Sequence, residues 1–193
     1  MFEIGQKWQH KETQMMVVIV DINGQDLRIQ PVGQKKVYWV RAKIFSKYFR
    51  KVATNYKEKL IAFMELKADR LNRVIGVDYY FNDGDKKEIL QWSEKDAEKV
   101  WQEILKSVYE REGCGLHSDT CPFCIYVALK HKDKKPYIRC CHCGWGARHG
   151  YCFDKNSDYQ KILEKFSSEY ILGNIWYKNI IGEIENNKEQ ESR

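Results

Sequence analysis

The 193-residue sequence has no apolar run close to the roughly 18 residues that a bilayer span requires, so no membrane-spanning helix is expected. The start, Met1-Phe2-Glu3-Ile4-Gly5-Gln6-Lys7, lacks the apolar stretch of a signal peptide, and an intracellular, cytoplasmic protein is the expectation. Proline is scarce, three in all, which leaves no Pro-rich linker. Several catalytic signatures are missing too. Without H-E-x-x-H, a phosphate-binding glycine loop or G-x-S-x-G, zincin proteases, P-loop enzymes and α/β-hydrolases fall away. A zinc deaminase needs H-x-E and a proline directly before C-x2-C, and Thr120 stands in that place. What is present argues for folded chain: 43% hydrophobic and 13% aromatic residues supply a core, while 31% charged residues and a mean hydropathy of −0.65 supply a solvated surface.

The formal charge is +6, unevenly spread. Residues 1–60 carry +7, 61–120 carry −4, 121–150 carry +5 and 151–193 carry −2. The first basic region holds Lys35, Lys36, Arg41, Lys43, Lys47, Arg50 and Lys51, interleaved with Tyr38, Trp39, Phe45, Tyr48 and Phe49. Cations among aromatics suit nucleic acid, because phosphates take the charge and bases stack. The plainer alternative is a solvated face over a small aromatic core, and it is preferred because small β domains use aromatics mainly for packing. The second basic set is Lys130, Lys132, Lys134, Lys135 and Arg139.

Short strands are expected from Gln6 to about Val52. Met15 to Asp21 and Asp26 to Gln30 flank Asn23-Gly24, a pair suited to the positive φ angles of a type I′ hairpin, and Val37 to Val40 offers a third strand. Such a pattern in about 50 residues suggests a small SH3-like or Tudor-like barrel. Beyond it, Leu60, Ile61, Met64, Leu71 and Val74 share a helical face, with Thr54 or Asn55 able to cap the start. Val77 to Phe81 with Asp83-Gly84 reads as a strand and turn. Ser93, with Asp96 at N3, opens a helix striped by Ala97, Val100, Trp101, Ile104, Leu105, Val108 and Tyr109. Two more helices follow, one through Tyr159, Ile162, Leu163, Phe166 and Tyr170 and one through Ile175, Trp176, Ile180, Ile181 and Ile184.

All seven cysteines lie between Cys114 and Cys152. Clustered thiols in a reducing compartment point to metal or to reactive chemistry, not to disulfides. Cys121-Pro-Phe-Cys124 and Cys140-Cys-His-Cys143 are two C-x2-C pairs separated by 15 residues, a zinc-ribbon spacing. Ile125 to Lys130 and Tyr137 to Arg139 then read as the ribbon's two strands. Cys114, His117, His149 and Cys152 flank this set as C-x2-H and H-x2-C. Together these residues supply eight ligands, enough for two tetrahedral zinc ions. Nested pairing, with an inner site of four cysteines and an outer site of two cysteines and two histidines, keeps the ribbon intact; sequential and crossed pairings remain open. Four protein ligands close a zinc shell, so both metals read as structural. Cys121-Pro-Phe-Cys124 alone resembles a thioredoxin-type redox pair, but Gly115 to Thr120 does not read as the strand that fold requires.

The expected class is therefore α+β: a small barrel over 1–53, a helical region over 54–113, a zinc-binding module over 114–153, and C-terminal helices with a polar tail over 154–193. The order Gly5, Trp8, hydrophobic hairpin, Tyr38-Trp39, Phe45, Phe49 resembles small barrel domains of phage proteins, over about a quarter of the chain. The Cys/His zone, with His149-Gly150 and Cys152 after Gly144-Trp145-Gly146, resembles small zinc-ribbon proteins of phages and bacterial mobile elements, over about 40 residues and without an assigned activity. A small Lys-rich chain of this sort is also similar in kind to metal-containing anti-CRISPR proteins. These resemblances imply a zinc-stabilised, non-enzymatic protein that binds and inhibits a host protein or nucleoprotein complex through the two basic sets named above. A second reading is direct nucleic-acid binding. A third is a metal-dependent nuclease using His142 or His149 with Asp154 or Asn156.

Overall fold

The computed structural model describes residues 2–13, 15–76, 80–111, 118–165 and 173–185. It is α+β, and it divides into two compact units, Met1–Ala53 and Thr54–Arg193.

The first unit is an antiparallel sheet of β1 (Lys7–His10), β2 (Met16–Asn23), β3 (Asp26–Pro31), β4 (Tyr38–Arg41) and β5 (Phe49–Lys51), with helix α1 (Ala42–Tyr48) between the last two. The strand order is β4-β3-β2-β1-β5: a four-strand meander to which the fifth strand adds by pairing with the first. Period-2 alternation drives it: Val17, Ile19, Leu27 and Ile29 face inward and meet Phe45 and Phe49 in one cluster. Phe45 and Phe49 stack at 4.4 Å between ring centres, and Trp8 meets Phe45 edge-on at 5.2 Å. The β2–β3 hairpin pairs Asn23 with Asp26, which moves the turn one residue beyond the expected pair, to Gly24 and Gln25. Gly24 takes φ +60°, the conformation this tight turn requires.

The second unit is helical among its described residues: α2 (Tyr56–Ile75), α3 (Asp83–Gln91), α4 (Glu94–Glu110), a 3-10 turn at Ser118–Thr120, α5 (Pro122–Lys130), α6 (Pro136–Cys140), α7 (Gly144–His149), α8 (Asp158–Lys165) and α9 (Asn174–Glu185). The caps expected at Asn55 and Ser93 are formed, each side chain accepting from a backbone N–H of the first turn. The stripe of α4 buries Ala97, Val100, Trp101, Ile104 and Val108. Phe63 of α2 lies 6.0 Å from Trp101 and 6.1 Å from Tyr177 of α9, tying three helices at one point. Among the described residues no helix is long and apolar enough to cross a membrane.

Two expectations are overturned. The stretches read as ribbon strands are the helices α5 and α6, so no zinc ribbon is formed. Both start with proline at N1, Pro122 and Pro136, where the ring's fixed φ and missing N–H favour a helix start. Pro136 was expected in a hairpin turn and instead begins α6. Likewise Asp83-Gly84, expected as a turn, opens α3: Asn82 and Asp85 form a reciprocal capping box there. Residues 77–79 of the expected strand lie outside the described residues.

Candidate functional site

The helix starts put the thiols where they are. Cys121 is the N-cap of α5 and Cys124 lies in its first turn; Cys140 ends α6; Cys143 is the N-cap of α7 and accepts from the Gly146 N–H at 3.4 Å. Cys152 follows in the loop before α8. The neighbouring thiols of Cys121, Cys143 and Cys152, together with burial, push the Cys124 pKa far above the ordinary thiol value. By contrast, the Cys121 thiol is drawn down to about 6, first by the hydrogen bond from Cys124, then by the charge of Lys67 and the amides of Cys124 and Phe123, against burial. Cys124, Cys140, Cys143 and Cys152 line one cleft of about 580 Å³. Among the described residues no group of three or more Cys, His, Asp or Glu side chains stands in an arrangement that could hold a metal ion.

Behind the thiols is a buried cation. Lys67 of α2 is 1% exposed, with its ammonium 5.4 Å from the Tyr177 ring centre and 5.6 Å from that of Tyr80. Burial opposes its charge, but Tyr177, Tyr80 and Cys121 outweigh burial and hold its pKa above the ordinary lysine value. No carboxylate pairs with it among the described residues, which leaves Cys121 as the acidic group nearest in chemistry to a counter-ion. The signal was in the sequence: Lys67 falls on the Leu60, Met64, Leu71 face, where a charge interrupts an apolar stripe.

Only half of the outer metal set falls within the described residues. Cys114 and His117 lie outside the described residues. His149 stacks on Trp145 at 4.6 Å and commits both ring nitrogens to carboxylates, Nε2 to Asp85 at 2.8 Å and Nδ1 to Asp158 at 2.9 Å. With both lone-pair positions used, the ring cannot also ligate a metal in this arrangement. Arg148 completes the network through Asp85 at 2.7 Å and Glu88 at 2.6 Å. Of the residues considered for a nuclease, His142 stacks on His131 and meets Lys134 at 2.8 Å, while Asp154 and Asn156 are exposed.

The basic sets differ in how much of their charge is free. In the second, Lys130 pairs with Asp96 at 2.7 Å, Arg139 donates to the carbonyls of Lys134 and Lys132, and Lys134 is held by His142; Lys132 and Lys135 are exposed. In the first, Lys35, Lys36, Arg41, Lys43, Lys47 and Lys51 are all exposed, Lys51 with a partner, and the Arg50 side chain lies outside the described residues. The aromatics divide: Phe45 and Phe49 form the expected small core, whereas Tyr38, Trp39 and Tyr48 are 42%, 54% and 43% exposed.

Comparison with known proteins returns no matching family model, no matching curated protein and no matching solved structure.

Proposed function

We propose that this chain is a metal-stapled, non-enzymatic binding protein, of the kind phages and mobile elements use against a host protein or nucleoprotein complex, with anti-CRISPR proteins as the nearest analogy. In this reading the first unit is an SH3-like barrel, consistent with its β4-β3-β2-β1-β5 order, and it carries the contact surface. The carrying observation is that the unit leaves Tyr38, Trp39 and Tyr48 in solvent among exposed cations. The test is protection: stoichiometric protein added to reconstituted RNA-guided nucleases should block cleavage of their target DNA, and Lys36→Glu combined with Lys43→Glu should abolish the block. No protection at tenfold excess across such effectors refutes this reading.

In the second unit we propose that one zinc ion would draw together Cys121, Cys124, Cys143 and Cys152, which are not grouped as a metal site in the structure as it stands, in place of the two nested ions. The thiol contacts of Cys124 support this set over one containing Cys140, and the buried Lys67 ammonium offers partial compensation for the −2 charge of a four-thiolate zinc centre. Such a centre staples α5 to α7 and the loop beyond it.

A second reading, direct nucleic-acid binding by the first unit, is favoured by its charge. Met1–Ala53 has ten Lys and Arg against four Asp and Glu, while 54–193 has equal numbers, so the whole net +6 lies in the first unit.

A further inference from the structure

Deepening that second reading, on which it rests, we infer that the β3–β4 edge of the first unit is a stacking platform for single-stranded nucleic acid, with Trp39 at its centre. The strand register builds the platform. Leu27 and Ile29 point into the core, so Asp26 and Arg28 between and beside them point outward. Arg28 pairs across the ladder with Trp39 and Asp26 with Arg41, which puts Arg28, Trp39, Arg41 and the acidic Asp26 on the outer surface of the sheet. β4 ends the sheet, so nothing in the sheet covers its far side.

Trp39 holds Arg28 over its ring at 6.0 Å and is still 54% exposed. The same pairing recurs twice nearby in sequence, Lys36 over Tyr38 and Lys47 over Tyr48, each at 5.3 Å. Among the described residues none of Arg28, Lys36, Arg41 or Lys47 makes an ion pair with a carboxylate. An exposed ring beside an uncompensated cation offers a base its π-face and the adjoining phosphate its countercharge in one step. Duplex DNA keeps its bases stacked inside and offers such rings nothing, so the platform selects unpaired strands. An acidic peptide would satisfy the cations yet leave the Trp39 ring in water, and it is the weaker match.

The test uses the full chain and fluorescence anisotropy with four probes: a labelled 15-nucleotide oligo-dT, a duplex of equal length, a 15-residue oligoglutamate, and anionic phosphatidylserine vesicles. Oligo-dT should bind at low salt, tighter than the duplex, with affinity falling linearly in log–log against salt by roughly 0.7 per phosphate neutralised. Trp39→Ala should weaken oligo-dT binding roughly tenfold or more with the salt slope unchanged, Trp39→Phe should restore most of it, and Arg28→Ala should lower both affinity and slope. Trp39 is exposed, so an unchanged melting curve separates lost stacking from lost fold. Equal binding of duplex and oligo-dT, unaffected by Trp39→Ala, sinks the platform and leaves the nucleic-acid reading standing. Binding to oligoglutamate or to vesicles with none to either nucleic acid sinks both.

Discussion

His149 Nε2 lies 2.8 Å from Asp85 Oδ2, with the two side chains 3% and 0% exposed. A capping carboxylate at the start of α3 thus doubles as the anchor for the end of α7, since Asp85 also takes Arg148 at 2.7 Å through its other oxygen. Removing it leaves a guanidinium and an imidazole facing each other without their shared anion. Asp85→Asn should cost about 3 kcal/mol or more in urea denaturation. Lys161→Ala, which removes the 48%-exposed partner of Asp158 at 3.2 Å, should cost under about 1 kcal/mol. Equal losses in the two variants would show the network contributes nothing beyond surface pairing.

The same pair sets a pH window. Burial works against the His149 charge, but the hydrogen bonds that the imidazolium donates to Asp85 and Asp158 win and raise its pKa above the ordinary imidazole value. For Asp85 burial again opposes charge, and His149, the Asn82 amide and Arg148 outweigh it, lowering its pKa. A raised histidine stabilises fully below its unfolded value, about 6.5, and that gain is lost as pH rises through the higher folded value. A lowered carboxyl stabilises above its unfolded value, about 3.9, and that gain is lost as pH falls through the lower folded value. The network therefore contributes most between about pH 4 and 6.5. Wild type minus His149→Gln, measured by thermal melts, should show its largest stability gap in that window and a shrinking gap above it. A gap that widens steadily from pH 6 to 9 contradicts the assignment.

Lys67 and the thiols give a test in which the sign decides. If zinc sits on Cys121, Cys124, Cys143 and Cys152, purified protein should carry one zinc per chain, retained in Cys140→Ser and lost in Cys124→Ser. Lys67→Met should then weaken zinc retention against a chelator, because a centre of charge −2 loses its buried cation. In the metal-stripped chain the same variant should be neutral or stabilising, since it removes a buried ammonium that no carboxylate pairs. Lys67→Met leaving zinc retention unchanged would separate the lysine from the metal; zinc absent from the purified wild type would remove the staple itself.

Helices with a long apolar stripe and a polar cap were legible in residues 93–110, because Ser93, Asp96 and Trp101 sit at positions that only one secondary structure satisfies. The hairpin was legible to within one residue, since Gly24 is the residue that needs the positive φ and its partner in the turn is free to be Gln25. The cysteine zone was misread for a physical reason. α5 is apolar on most sides, with Phe123, Ile125 and Val127 all buried, and a short helix of that kind has the same apolar run as a buried strand. Spacing between C-x2-C pairs does not report what lies between them, whereas Pro122 and Pro136 did mark helix starts. At the candidate site the cysteines are visible in the sequence as a set, whereas the position of Cys152 depends on the turn that follows α7 at Gly150, which spacing does not report. Lys67, Asp85 and Asp158 become neighbours of that zone through tertiary packing, for which a local pattern offers at most a misplaced charge.

Gly150 links the two halves of the site, joining His149 of the carboxylate network to the loop that delivers Cys152. It has φ +79° and ψ 146°, a region essentially restricted to glycine, and a Cβ there would stand 2.9 Å from the Ser157 Cα. The obstacle is backbone, so no rotamer change relieves it. Gly76 gives the control: φ +65° and ψ 45°, with nothing within 4 Å of an added Cβ. Gly76→Ala should cost about 1–2 kcal/mol, the ordinary left-handed penalty. Gly150→Ala should cost about 3 kcal/mol or more, since strain and clash combine. It should also lower zinc retention, by displacing Cys152 relative to Cys124, while Gly76→Ala leaves zinc retention at the wild-type level. Equal losses of stability in the two glycine variants, measured by urea denaturation of the full chain, would show that the 150–157 contact does not constrain the loop.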